Sequence, residues 1–163
     1  QPRHLTPGLV AAHRDLSVLA HHVHMPVQSG SDRMLKRMLR RYTREEYVER
    51  VRALMGAVPG MTVSTDVIVG FPGETRADFE ATLSLIEQMG FVGVFGFKYS
   101  PRPFTPALKL GDDVSEAEKS ARLSELFELS EGLRAQHLAR LVGSVEPVLE
   151  PGHREDQRGT LPM

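Results

Sequence analysis

Residues 61–99 place the tightest limit on what this chain can fold into. "MTVSTDVIVG" is rich in apolar and β-branched residues and reads as a strand. "FPGET" follows as a tight turn, and Thr75 with Asp78 caps a helix that buries Phe79, Leu83 and Ile86 and stops at Gly90. "VGVFGFKY" is then a second strand, ended by the proline-rich "SPRPFTPA". Two strands joined through a helix make a βαβ unit, which requires a parallel sheet with a helix packed on it.

The alternation continues to either side. "VHMPVQ" reads as a strand ending near Gln28. Ser31 caps a short helix through Leu39 that buries Met34, Leu35 and Met38. A further helix starts at Thr43 with Glu46 completing a capping box and Tyr42 and Tyr47 at the staple positions. Its apolar face is Tyr47, Val48, Val51, Leu54 and Met55. Ser115, with Glu118 at the capping-box position, opens a long helix whose Leu123, Leu126, Phe127, Leu133 and Leu141 recur on one face. "GSVEPVLEPG" begins one more strand before a polar tail. Three parallel strands neither close a barrel nor complete a doubly wound sheet. The fold class is therefore α/β, incomplete at both ends.

Composition narrows the function classes. A chain of 163 residues with 40% hydrophobic and 25% charged residues belongs with single globular domains. No apolar run approaches the roughly 18 residues of a membrane span. The first residues lack the basic start and apolar block of a signal peptide, which favours the cytoplasm. The first residue is Gln1, which suggests a natural start further upstream. Zero cysteines exclude a disulfide framework and any thiolate-held cluster within this chain. The net charge of −1 conceals two opposed segments. Arg33–Leu54 carries eight basic and three acidic residues, and Asp112–Glu131 carries seven acidic and two basic. Such helix faces are ordinarily solvated.

In parallel α/β folds, ligands bind beyond the carboxyl ends of the strands. Here those ends are Gln28-Ser29-Gly30, Asp66 to Gly70, and Tyr99-Ser100-Pro101-Arg102. Gln28 offers an amide that both donates and accepts. Gly30, Gly70 and Gly73 would let a ligand approach the backbone, and the helix after Thr75 could point N–H groups at an anion. "GFPGET" lacks the lysine of a P-loop and the spacing of a dinucleotide fingerprint. In "HHVH", His22 and His24 share one side of a strand, but no carboxylate stands at a telling metal-ligand spacing. They read as polar surface, and no metal site is expected. Asp66, inside an apolar strand, is buried or pore-facing, as a structural acceptor or a functional one. There is no Gly-x-Ser-x-Gly elbow and no cysteine nucleophile. By its own chemistry the chain holds half a site.

"HMPVQSGSDRMLKRMLRRYTREEY", "STDVIVGFPGET" and "FKYSPRPFTPA", in this order, resemble the radical S-adenosylmethionine methylthiotransferases. The closest resemblance is to the branch that 2-methylthiolates N6-isopentenyladenosine in tRNA. The resemblance runs from about Gln1 to Leu149. The threonylcarbamoyladenosine and ribosomal-protein branches are the neighbouring alternatives. A noncatalytic RNA- or partner-binding remnant is the alternative of another kind.

The resemblance implies the second half of a partial, open TIM-like barrel over residues 1–141. It implies a linker and the start of a TRAM-like RNA-binding module over 142–163. It implies a 4Fe–4S cluster that reductively cleaves S-adenosylmethionine, a deoxyadenosyl radical that takes the C2 hydrogen of the modified adenosine, and a second cluster for sulfur delivery. A second S-adenosylmethionine supplies the methyl group. Gln28, Ser29, Gly30 and Ser31 would line the S-adenosylmethionine site, with Ser64, Asp66 and Val69 on the next strand and Tyr99 and Ser100 on the adenine side. Arg40 and Arg102 would contact the cofactor carboxylate or tRNA phosphate. The cluster cysteines would lie in a missing amino-terminal half, so this chain alone is expected to be inactive. Phe104 stands where the family commonly has glycine, and "HREDQRGTLPM" does not continue into a recognisable TRAM module.

Overall fold

The computed structural model describes residues 2–145. Its elements are α1 (Pro7–Asp15), β1 (His22–His24), α2 (Asp32–Arg37), α3 (Arg44–Ala57), β2 (Thr62–Val69), α4 (Arg76–Met89), β3 (Gly93–Lys98) and α5 (Glu116–Leu141). The strands form one parallel sheet in the order β1-β2-β3, so each helical crossover returns the chain to the neighbouring position. The α/β class with three parallel strands is as read from the sequence, and the open sheet accords with the partial barrel that the resemblance implies.

Local signals set the helix ends. Thr43 accepts from Glu46 N–H while the Glu46 carboxylate accepts from Thr43 N–H, and Thr75 and Asp78 repeat the same reciprocal box at α4. Gly90 ends α4 in the left-handed conformation at φ 60°. At α5, Ser115 accepts from Glu118 N–H, but the Glu118 carboxylate instead accepts from Arg122, one turn on, so the box is only half formed.

Two expected elements differ. The strand expected through Gln28 stops at His24, because Pro26 has no N–H to give a ladder. Thr65 bridges the gap: its hydroxyl donates to Met25 C=O and accepts from Val27 N–H. Gln28 then rejoins β2 by a single bridge opposite Val67. The short helix ends before Met38, which is half-buried, and Leu39 is exposed with φ 56°. The strand expected in "GSVEPVLEPG" falls outside the described residues from position 146 onward.

The sheet has two unlike faces. Val63, Val67, Val69 and Val94 point into a core with Tyr47, Val51, Leu54, Phe79, Leu85, Ile86, Phe91 and Leu126 from the helices. Burying a side chain such as Phe79 completely stabilises the fold by about 1.5–3 kcal/mol. The opposite face carries His22, His24, Ser64, Asp66, Phe95 and Phe97, and both phenylalanines are more than half exposed.

Candidate binding site at the strand ends

The carboxyl ends of β2 and β3 open onto a cavity of about 530 Å³, within the usual range of small-ligand sites. Gln28, Arg40, Asp66, Tyr99, Ser100 and Arg102 line it, with apolar walls from Ile68, Phe71 and Phe97. Six of the eleven residues expected from the sequence are thus brought together. Three come from strand ends and the segments continuing them, one from the link between α2 and α3, and two from the loop after β3.

Gln28 adopts φ 75°, a region most residues avoid. β2 holds it there from both sides: Gln28 N–H donates to Asp66 C=O, and Ile68 N–H donates to Gln28 C=O, each at 2.9 Å. A strained residue clamped at a cavity wall is the pattern found where side-chain direction matters.

Phe71 and Tyr99 of the lining also belong to a small buried apolar cluster with Met34. Phe71 and Tyr99 meet edge-on with ring centroids 5.0 Å apart, and the Lys119 ammonium lies 5.7 Å from the Tyr99 ring centroid. Tyr99 is 8% exposed, yet its hydroxyl has no hydrogen-bond partner. The Arg40 Nε is likewise buried without a partner. Buried polar atoms are normally satisfied, and two of the three that lack a partner among the described residues belong to residues lining this cavity.

The remaining expected residues do other work. Ser29 shares a hydrogen bond with Thr82, and Gly30 N–H donates to the same Thr82 hydroxyl. Ser31 caps α2 and donates to Asp78 at 2.6 Å. Val69 is fully buried on the helix-facing side of β2 and turns away from Asp66. Ser64 faces the open side, but lies beneath His22 and His24. The space at the glycines is occupied by protein. A Cβ on Gly30 would lie 2.4 Å from Ala81 C=O, while Gly70 admits Lys119 and Gly73 admits the Arg37 guanidinium. At the amino end of α4 the Asp78 carboxylate, third residue of the helix, accepts from Thr75 N–H and sets a negative charge where an anion was expected.

Asp78 and Glu74 show how the loop between β2 and α4 is held. Burial opposes ionisation of Asp78, but Arg33, Ser31 and Thr75 outweigh it and hold the carboxyl well below the usual range. For Glu74 burial wins and raises the pKa, although Gly70 N–H and Arg122 both donate to it at 2.7 Å. Arg122 of α5 thereby ties the "FPGET" loop to the long helix, and Lys119 adds Asp112 at 2.6 Å. Arg33 of the basic segment and Arg122 of the acidic segment thus pair with carboxylates outside both, and Lys119 pairs with Asp112 inside the acidic one, so these charges are in part paired rather than simply solvated.

One juxtaposition went unread in the sequence, although its residues were each noted. Parallel register sets His22 against Thr62 and His24 against Ser64, which brings His24 Nε2 within 3.2 Å of Asp66 Oδ1. Strand register across about forty residues cannot be read from "HHVH" alone. A second cavity of about 460 Å³ lies between α4 and α5, away from the strand ends, and is lined by leucines and by Glu87, Glu125 and Glu128. None of the orphaned buried atoms belongs to its lining.

The Radical SAM superfamily model matches residues 2–86. A Sorangium cellulosum protein named tRNA-2-methylthio-N(6)-dimethylallyladenosine synthase is 66% identical over 158 residues, covering 97% of this chain and 32% of the relative. Proteins of the same name from Desulfosudis oleivorans and Acidithiobacillus ferrooxidans are 50% and 49% identical, over 93% and 98% of this chain and 32% and 36% of their own lengths. The chain spans about a third of the length of these curated relatives.

Proposed function

This chain belongs to the radical SAM superfamily, and we propose that it forms the cysteine-free later part of the barrel in a methylthiotransferase acting on N6-isopentenyladenosine of tRNA. The observation that carries this reading is the polar cavity at the strand ends, with the Tyr99 hydroxyl and Arg40 Nε lacking partners among the described residues. The names of the similar proteins support the substrate class.

The cavity's residues suit S-adenosylmethionine, a ligand with a carboxylate, an ammonium, ribose hydroxyls and an adenine. Gln28 and Ser100 supply groups that both donate and accept, Arg40 and Arg102 supply donors for a carboxylate, and Asp66 supplies an acceptor for hydroxyl or ammonium. Phe71, Phe97 and Ile68 give the adenine an apolar wall and keep water from it. S-adenosylmethionine, when bound, supplies the radical that abstracts hydrogen and the methyl group that is transferred. Residues of this chain do not fit a 4Fe–4S cluster. The sequence has no cysteine, and the described residues contain no group of three His, Asp or Glu placed to hold a metal. We assign the thiolates to an amino-terminal part of the same polypeptide.

Residues 1–141 would be barrel, and 142–163 the linker toward an RNA-binding module, most of which lies outside the described residues. Lys36 and Arg41, exposed beside Arg40, would attract tRNA phosphate as a salt-sensitive field. No helix of the described residues is long and apolar enough to cross a membrane. The test is anaerobic reconstitution of this chain joined to a cysteine-bearing amino-terminal part. Deoxyadenosine and 2-methylthiolated tRNA are expected from the joined protein, and neither from the chain alone. Deoxyadenosine from the chain alone would overturn the assignment of the cluster.

A further inference from the structure

The open face of the sheet carries a continuous file of hydrogen-bonding side chains that ends in the cavity. Thr62 Oγ1 lies 2.9 Å from His22 Nδ1, and His22 Nε2 lies 3.1 Å from Ser64 Oγ. Ser64 Oγ lies 3.0 Å from His24 Nδ1, and His24 Nε2 lies 3.2 Å from Asp66 Oδ1. Ser64, at the centre, is 5% exposed although both histidines lie on the open face, and Phe95 packs its ring edge-on against His24 with centroids 5.7 Å apart. Of these residues only Asp66 lines the cavity.

We propose that His24 is a positioning residue for Asp66, with its tautomer fixed through Ser64, His22 and Thr62. Each neutral imidazole, and the Ser64 hydroxyl between them, has one donor and one acceptor to spend along the file, so the directions are coupled. With Asp66 ionised and both imidazoles neutral, one arrangement satisfies every link. Thr62 O–H donates to His22 Nδ1, His22 Nε2–H to Ser64 Oγ, Ser64 O–H to His24 Nδ1, and His24 Nε2–H to Asp66 Oδ1. The opposite direction would set the lone pair of His24 Nε2 against an ionised carboxylate. It therefore needs one more proton at the His24–Asp66 end, with Thr62 turning to His21 C=O, 3.1 Å away. In the first arrangement His24 occupies one carboxylate oxygen and leaves the other for a ligand hydroxyl or ammonium. The nearby Lys98 takes no part, since its ammonium turns to Glu116 and Ser120.

This inference rests on the cavity being the S-adenosylmethionine site, so its test has two arms on the full-length protein that carries this chain. Nitrogen-15 histidine spectra at about pH 8, where free imidazoles are neutral, report tautomers directly. His22 and His24 are expected in single Nε2–H forms, and Ser64→Ala is expected to release both into mixtures. His24 as Nδ1–H, or a mixture in the native protein, would overturn the file. Equilibrium dialysis with S-adenosylmethionine is the second arm. His24→Ala should weaken binding about tenfold, His24→Gln should stay within about threefold because its amide still donates, and His24→Ala should cost nothing further in an Asp66→Asn background. An equal loss in that background would show that His24 does not act through Asp66. If the native protein binds no S-adenosylmethionine, the functional reading fails, while the tautomer spectra still decide the file.

Discussion

Tyr99 packs its ring against Phe71 and Lys119 while its hydroxyl reaches no partner. Tyr99→Phe should therefore leave the melting temperature almost unchanged, because no internal hydrogen bond is lost. The same change should weaken S-adenosylmethionine binding by roughly three- to tenfold, the worth of one hydrogen bond. Calorimetry and thermal melting on the same samples separate the two effects. Phe104 makes the opposite case. Its φ of 64° and full exposure put a bulky side chain where the resemblance expects glycine, with no packing in return. Phe104→Asn, a residue that tolerates this conformation, should raise stability by up to about 1 kcal/mol in urea unfolding. A drop would mean that the phenyl ring makes contacts in the full-length protein. At this scale the sequence was half legible. Asp66, Gln28 and Tyr99 sit at strand ends, where ligand groups are expected. Ser29 and Ser31 look equally available in the sequence, yet their partners Thr82 and Asp78 lie about fifty positions away, and no local pattern announces them.

Helix starts and faces were legible at the scale of elements because their causes are local: a capping box spans four residues, and an amphipathic face repeats every turn. The break at Pro26 follows from its missing donor, yet the strand reads straight through it to Gln28 in the sequence, and the repair by Thr65 has no local signature. Asp78 ties α4 to α2 through Ser31 and Arg33 as well as capping its own helix, so its ionisation supports the packing of two elements. Its pKa is lowered on folding. The stability it contributes is therefore present above the ordinary aspartate range near 3.9 and is lost as pH falls through the lower folded value. Acid titration of the melting temperature should show this loss, and Asp78→Asn should flatten it while lowering stability at neutral pH by about 1–2 kcal/mol. Glu74 runs the other way. Its pKa is raised by burial, so its contribution is greatest at low pH and declines as pH rises through the folded value, and Glu74→Gln should remove that decline. Gly30→Ala should cost about 1–3 kcal/mol or more, since the added methyl would meet the α4 backbone rather than a side chain that can move.

Across the whole molecule, one sheet face is packed by helices and the other presents Phe95, Phe97 and the histidine file. Both strands were legible in the sequence, but Asp66 read as buried or pore-facing, so the division into two faces emerges only with the sheet. What the open face is for was not legible, because exposed phenylalanines and a histidine file name no ligand by themselves. A complete barrel would turn that face inward and bring cluster-bound S-adenosylmethionine over Gln28, Asp66 and Tyr99. The central claim is that this chain supplies the ligand-holding barrel wall of a tRNA methylthiotransferase. It is tested most directly by nucleoside mass spectrometry of tRNA from cells that retain N6-isopentenyladenosine but lack its 2-methylthio group. Complementation with the full-length protein carrying this chain should restore the 2-methylthio nucleoside, and the Asp66→Asn form should restore at most about a tenth as much. Unmodified tRNA with the native protein stably expressed, or full restoration by the Asp66→Asn form, would contradict the account.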